Sequence, residues 1–180
     1  MISKLCVNWF GGPGIGKTVA AASLFTRLKK LHIDVELVAE FPKDLILENN
    51  LIALKNQIYV FGSQLHRIEC TYNNTTVSIV DSPLLLSAIY NPHTSKHLID
   101  LVFEQHKKFN NLNIFMDRNP EFPHSMHGRI HSLTESISLD NQILRLLIDH
   151  DIPHINYDDV GEDFIVDLIC QEIGVEVTHD

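Results

Sequence analysis

The stretch Asn8–Phe25, "NWFGGPGIGKTVAAASLF", decides how the rest of the chain is read. Gly11, Gly12, Pro13, Gly14, Ile15, Gly16, Lys17 and Thr18 fit the pattern G-x-x-x-x-G-K-[ST], between an apolar β-rich run and a helical pattern. That context is the one in which the pattern carries a mechanism. Glycines let the backbone curl so that its N–H groups converge on phosphate oxygens. The helix that follows adds its positive N-terminal end. Lys17 is expected to reach the β- and γ-phosphates of ATP, and Thr18 to ligate Mg²⁺. The motif leaves hydrolysis, transfer and signalling equally open.

Working outward, apolar β-rich runs alternate with helical patterns. "LCVNWF" reads as a first strand. The helix after it carries apolar residues at Val19, Ala22, Leu24, Phe25 and Leu28. "VELVAE" reads as a second strand ending at Glu40, followed by helical stretches near 44–48 and 57–70. "TVSIVD" is a third strand ending at Asp81, and "LNIFMD" a fourth ending at Asp117, with a helix over 96–109 between them. Residues 118–132 read as a loop or lid, followed by a helix from Thr134 to His150, a short strand "HINY" and a last helix from Asp163 to Ile173. This order predicts an α/β protein: a three-layer fold whose parallel sheet has about five strands. In such sheets ligands bind at the carboxyl ends of the strands. Gly11, Glu40, Asp81 and Asp117-Arg118 all fall at that edge.

The chain has 180 residues, 44% hydrophobic and 21% charged, which suits one domain over 1–180. No apolar run reaches the roughly 18 residues of a membrane span. The first residues read as structural rather than as a signal peptide. Cys6, Cys70 and Cys170 are scattered through apolar-periodic segments, which predicts buried, reduced thiols and a cytoplasmic protein. The formal net charge of −9 favours a small acceptor over nucleic acid, since a polynucleotide binder shows a basic surface. Nothing in the composition specifies an oligomeric state.

Asp81 is the expected Mg²⁺-holding acid of the third strand. Its alternative role is as a helix cap, because Ser82-Pro83 follow and proline suits a first helical turn. Glu40 stands where an acceptor hydroxyl would lie and is a candidate general base; a cap near Lys43 is its alternative. Arg118 and Arg129, within "DRNPEFPHSMHGRIH", are placed to neutralise a transferring phosphate, and closure over the site would exclude water. A solvated basic loop is the other reading. On the helix "NQIYVFGSQLHRIE", Gln57, Phe61, Gln64 and Arg67 share a face. Gln64 could read a base edge and Arg67 hold a phosphate, or the helix could be amphipathic with a core of aromatics. His124, His127 and His131 have the spacing H-x₂-H-x₃-H, but no cysteine lies near, and solvated or substrate-contacting histidines fit better than zinc.

The segments "GGPGIGKT", "VAEFPKDL", "QIYVFGSQLHRIE", "SIVDSPLLLSAIY", "LNIFMDRN" and "GRIH" follow one another as in small P-loop kinase-like, AAA ATPase-like proteins, many of them encoded by bacteriophages. The chain resembles relatives of the ribosylnicotinamide kinase domain of bifunctional nicotinamide-nucleotide enzymes. It is also similar to phage kinases that phosphorylate 5-hydroxymethyl-pyrimidines in DNA. The resemblance implies a nucleoside- or nucleotide-kinase fold with an arginine-bearing lid, and a host-cytoplasm location for a phage-encoded member. The expected activity is ATP- and Mg²⁺-dependent transfer of the γ-phosphate to a nucleoside, nucleotide or related acceptor. Two alternatives stand beside it: a kinase of hydroxymethylated DNA, and a nucleotide-dependent switch that binds a partner protein. The histidines at 124, 127 and 131 depart from a simple lid.

Overall fold

A computed structural model describes residues 3–90, 95–119 and 132–175. Five strands form one parallel sheet: β1 (Leu5–Phe10), β2 (Val35–Val38), β3 (Val77–Val80), β4 (Asn111–Phe115) and β5 (Ile155–Asn156), in the order β2-β3-β1-β4-β5. β1 lies at the centre, with Leu5 opposite Val77 and Cys6 opposite Asn111. All six of its residues are buried, as a strand covered on both faces requires.

Strand alternation sends the residues of β1 into two cores. Leu5, Val7 and Trp9 face a cluster built by α1 (Lys17–Lys30) and α7 (Tyr157–Ile173). Cys6 and Phe10 face the other cluster. It draws on α4 (Gln57–Asn74), a 3₁₀ turn at Leu84–Ala88, α5 (Lys96–His106) and α6 (Leu133–Asp149). Asn8, on the same face as Cys6 and Phe10, is buried but satisfied: its Nδ2 donates to Asn111 Oδ1 at 2.9 Å and Asn113 Oδ1 at 3.1 Å. α6 opens with a reciprocal capping box between Ser132 and Glu135.

The α/β fold, the parallel sheet of five strands and the helices on both faces match the reading of the sequence. The differences are local. α1 buries Ala20, Ala21, Leu24 and Leu28, whereas Val19 is 64% exposed. The buried stripe therefore runs through the alanines, which let the helix approach the sheet closely. Between α2 (Phe41–Leu47) and α4 lies a further helix, α3 (Leu51–Lys55), which buries no residue and so leaves no apolar periodicity to read. α7 begins at Tyr157 rather than Asp163: Asn156 caps it, and Gly161, at φ 75°, joins two helical pieces through a kink. Cys6 and Cys170 are buried, but Cys70 is exposed. Burial pushes the Cys6 thiol up to about 12.

No helix among the described residues is long and apolar enough to cross a membrane. Arg129, His124, His127 and His131 lie outside the described residues, as does most of the expected lid.

Candidate active site

The phosphate loop leaves β1 at Gly11 and enters α1 through Gly16. Gly11 (φ 144°), Gly14 (φ 80°) and Gly16 (φ 109°) all have positive φ, which glycine adopts at little cost. Gly16 is the N-cap of α1, with no side chain to satisfy the helix donors. Among the described residues, no partner is found for the N–H groups of Gly14, Ile15, Gly16, Lys17 and Thr18. Consecutive free donors at the start of a 14-residue helix make an anion cradle.

Lys17 folds back over this loop, donating to the carbonyls of Gly11 at 2.7 Å and Gly12 at 2.9 Å. Burial pushes its ammonium below the usual lysine value. The carboxylates of Glu40, Asp81 and Asp140 oppose that shift, and Arg118 adds to it. The same four side chains thus surround one cation. They come from the ends of β2 and β3, from the segment after β4, and from α6.

Thr18 donates its hydroxyl to Asp81 Oδ2 at 2.6 Å. Asp81 is 4% exposed, and its other oxygen, Oδ1, is buried without a partner among the described residues. A buried orphan carboxylate oxygen beside a threonine hydroxyl fits a hard divalent cation such as Mg²⁺, which takes oxygen ligands. The capping alternative for Asp81 does not hold, because the following 3₁₀ turn starts at Leu84 with Pro83 as its cap.

Glu40 is the backbone N-cap of α2, yet its side chain makes no capping hydrogen bond. Pro42 in the first turn removes one donor that would have needed a cap. Gln64, 3% exposed, reaches across from α4 and accepts the N–H of Phe41 at 2.9 Å, one residue beyond Glu40. Gln64 Nε2 is buried with no partner among the described residues. Of the other residues expected on that face, Phe61 is core, and Gln57 donates to Leu54 O at 3.3 Å while its Oε1 is buried with no partner among the described residues. Arg67 pairs with Asp44 at 2.6 Å and lies over the Phe41 ring at 4.9 Å. An open depression of about 500 Å³ is lined by Phe41, Ile58, Tyr59, Ser63, His66 and Arg67; neither Glu40 nor Gln64 lines it. Tyr90 completes the neighbourhood: burial pushes its hydroxyl up, and the charges of Glu40 and Asp140 push it further.

Arg118 leaves the end of β4 and points into the loop. Its Nε donates to Asp140 Oδ2 at 2.7 Å, and its Nη2 donates to Pro13 O at 2.9 Å and Asp140 Oδ1 at 3.2 Å. Asp140 also accepts the Gly12 N–H at 2.6 Å. Asp117, its neighbour at the strand end, is turned elsewhere: its carboxylate accepts from Asn156 at 2.7 Å. Sequence reasoning passed over Asp140. Its signal was the buried stripe Ser136, Leu139, Ile143 and Leu147 on α6, with polar residues concentrated at the N-terminal end.

The family model described as "AAA domain" matches residues 6–162, which takes in the phosphate loop, Glu40, Asp81, Arg118 and Asp140. The chain belongs to this family. No curated protein matches this AAA-domain chain by sequence. Among solved structures it is similar to the NadR protein in complex with NR, at 14% identity and TM-score 0.67, over 99% of this chain and 53% of that one. It therefore spans about half the length of the NadR chain. It is also similar to the deoxyadenosine kinase from M. mycoides with products dCMP and a flexible dCDP bound, at 16% identity and TM-score 0.53, over 94% of this chain and 98% of that one. At these identities the likeness is one of fold, a P-loop fold of the nucleoside-kinase type.

Proposed function

We propose that this AAA-domain protein is a phosphotransferase that moves the γ-phosphate of ATP to a hydroxyl or phosphate of a nucleoside, nucleotide or related small molecule. The observation that carries the reading is the position of Glu40. It stands just past the end of β2, close enough to Lys17 to act on its charge. A carboxylate there can take the proton of an acceptor hydroxyl, or of water in plain hydrolysis, and the acceptor panel below separates the two.

In this reading the amides of Gly14–Thr18 hold the phosphate chain and Lys17 moves from the loop carbonyls to the β- and γ-phosphates. Nucleotide charge then restores the ammonium that burial disfavours. Thr18 and Asp81 would hold Mg²⁺, which supplies neutralisation of charge on the β- and γ-oxygens when bound. Glu40 takes the proton of the acceptor hydroxyl as its oxygen bonds to the γ-phosphorus. The bond from that phosphorus to the bridging oxygen breaks, and ADP carries the electron pair away. Arg118 neutralises charge on the transferring group; Arg129 keeps the same assignment from its sequence position alone. On the acceptor side, the unpartnered Gln64 Nε2 is a donor suited to a base carbonyl or ring nitrogen, and Phe41 and Arg67 flank the approach.

The test is incubation with ATP, Mg²⁺ and a panel of nucleosides, nucleotides and hydroxymethylated DNA, with products read by mass. A phosphorylated small acceptor is expected. Release of ADP and phosphate with no acceptor product sinks the transfer reading and favours a switch. Labelled DNA moves the acceptor to a polynucleotide, against the net charge of −9.

A further inference from the structure

Asp140 has no part in the chemistry above, yet three donors converge on it. Its side chain is only 13% exposed. One oxygen accepts the Gly12 N–H and the Nη2 of Arg118; the other accepts Nε of Arg118. α6 is pressed against the loop here. A Cβ placed on Gly12 would lie 2.4 Å from Asp140 Oδ1 and 2.8 Å from the Ser136 carbonyl, so position 12 admits no side chain. Gly12 thus serves contact with α6, while the phosphate-facing donors are those of Gly14–Thr18.

The consequence for Arg118 is geometric. A guanidinium has five N–H donors in a rigid fork. Asp140 and Pro13 O take those on Nε and Nη2, and the Nη1 group has no partner among the described residues. One edge of the fork is clamped by a carboxylate that is itself fastened to the loop, and the Arg118 charge is near enough to act on the Lys17 ammonium. An arginine fixed this way loses little side-chain freedom on meeting an anion.

We propose that Asp140 is a positioning residue. It holds Arg118 against the phosphate loop so that Nη1 meets the terminal phosphate of a bound triphosphate, and thereby sets the preference for ATP over ADP. The proposal rests on the phosphate loop as the nucleotide site, and not on the identity of any acceptor.

The experiment is calorimetric titration with ADP and with a non-hydrolysable ATP analogue, each with Mg²⁺. It compares wild type, Asp140→Asn, Arg118→Gln and the double variant. Asparagine keeps the shape and can still accept one bond, but it no longer clamps the fork with charge. The wild type is expected to prefer the triphosphate. Either single change should lower that preference by roughly tenfold, the scale of a charged hydrogen bond. The double variant should fall no further, because Asp140 acts through Arg118. Asp140→Ser is the second variant, for use if the asparagine form does not fold, and must show the same loss. An unchanged preference in Asp140→Asn, or losses that multiply in the double variant, overturns the proposal; so does a wild type indifferent to the third phosphate. A wild type that prefers ATP yet phosphorylates no acceptor defeats the transfer reading and leaves the titration to decide the role of Asp140.

Discussion

The two sides of the site are built in different ways. The donor side is a run of eight neighbouring residues, Gly11–Thr18, whose working parts are mostly backbone amides, completed by Asp81 from the adjacent strand. The proposed acceptor side is assembled from side chains that start far apart: Glu40 at the end of β2, and Gln64 and Arg67 on α4. The two on α4 are set by partners from α2. Gln64 is tied to the Phe41 N–H, and Arg67 to Asp44 and the Phe41 ring. A backbone cradle depends mainly on glycine geometry and a helix terminus. A side-chain wall is rewritten by a single substitution. If the proposed transfer holds, the chemistry of the donor is general, and the choice of acceptor is where this chain is particular.

The sharpest way to break this contrast is to remove the side-chain cation that the loop itself supplies. Lys17→Met should cut the rate of ADP formation by roughly 10²–10³-fold, the scale for losing a positioned donor at a developing charge. It should do so with every acceptor, read in a coupled assay. A smaller, one-sided effect is expected on the other wall. Gln64→Leu leaves the buried Phe41 N–H without its acceptor and removes the free Nε2 donor. The KM for the acceptor should rise roughly tenfold, with the KM for ATP changed by less than about twofold. Equal changes in both would dissolve the distinction between the two sides.

Two further predictions concern residues outside both walls. His106 on α5 is 7% exposed, and burial, with Lys107 adding to it, pushes its imidazole down to about 4 from 6.5. In the window between those values the unfolded chain binds the proton and the folded chain does not. Stability is therefore full above pH 6.5 and falls as the pH drops towards 4, by at most about 3 kcal/mol from this group. Urea midpoints across that range should show the slope, and His106→Leu should flatten it. The smallest effect is on thiols. Cys70 is exposed and should react with a maleimide at neutral pH, while Cys6 and Cys170 stay protected until the protein unfolds.

Much of the fold and half of the site could be read before any coordinates. Strand runs with helices between them specify a parallel sheet, and the residues that close those runs, Gly11, Glu40 and Asp81, meet at one edge because all five strands point the same way. What escaped the reading depends on packing. Asp140 lies near the buried stripe of α6, and nothing local shows that this face meets the phosphate loop rather than plain core. α3 buries no residue, so it has no periodicity. Gly161 joins two helical pieces through a backbone angle that composition does not report. Cys70 lies on an apolar-periodic helix yet points outward, since periodicity places a face and the packing decides which residues at its margin are covered.

Glu40 as the base of the transfer step makes one strong demand on the kinetics. The most direct measurement follows labelled γ-phosphate from ATP in wild type and in Glu40→Gln, alongside the ATP dissociation constant of each. Transfer to a small acceptor should fall by about 10²–10⁴-fold in Glu40→Gln, with ATP affinity within about threefold of wild type. Label reaching only water in the wild type, or transfer that survives intact in Glu40→Gln, would contradict the account.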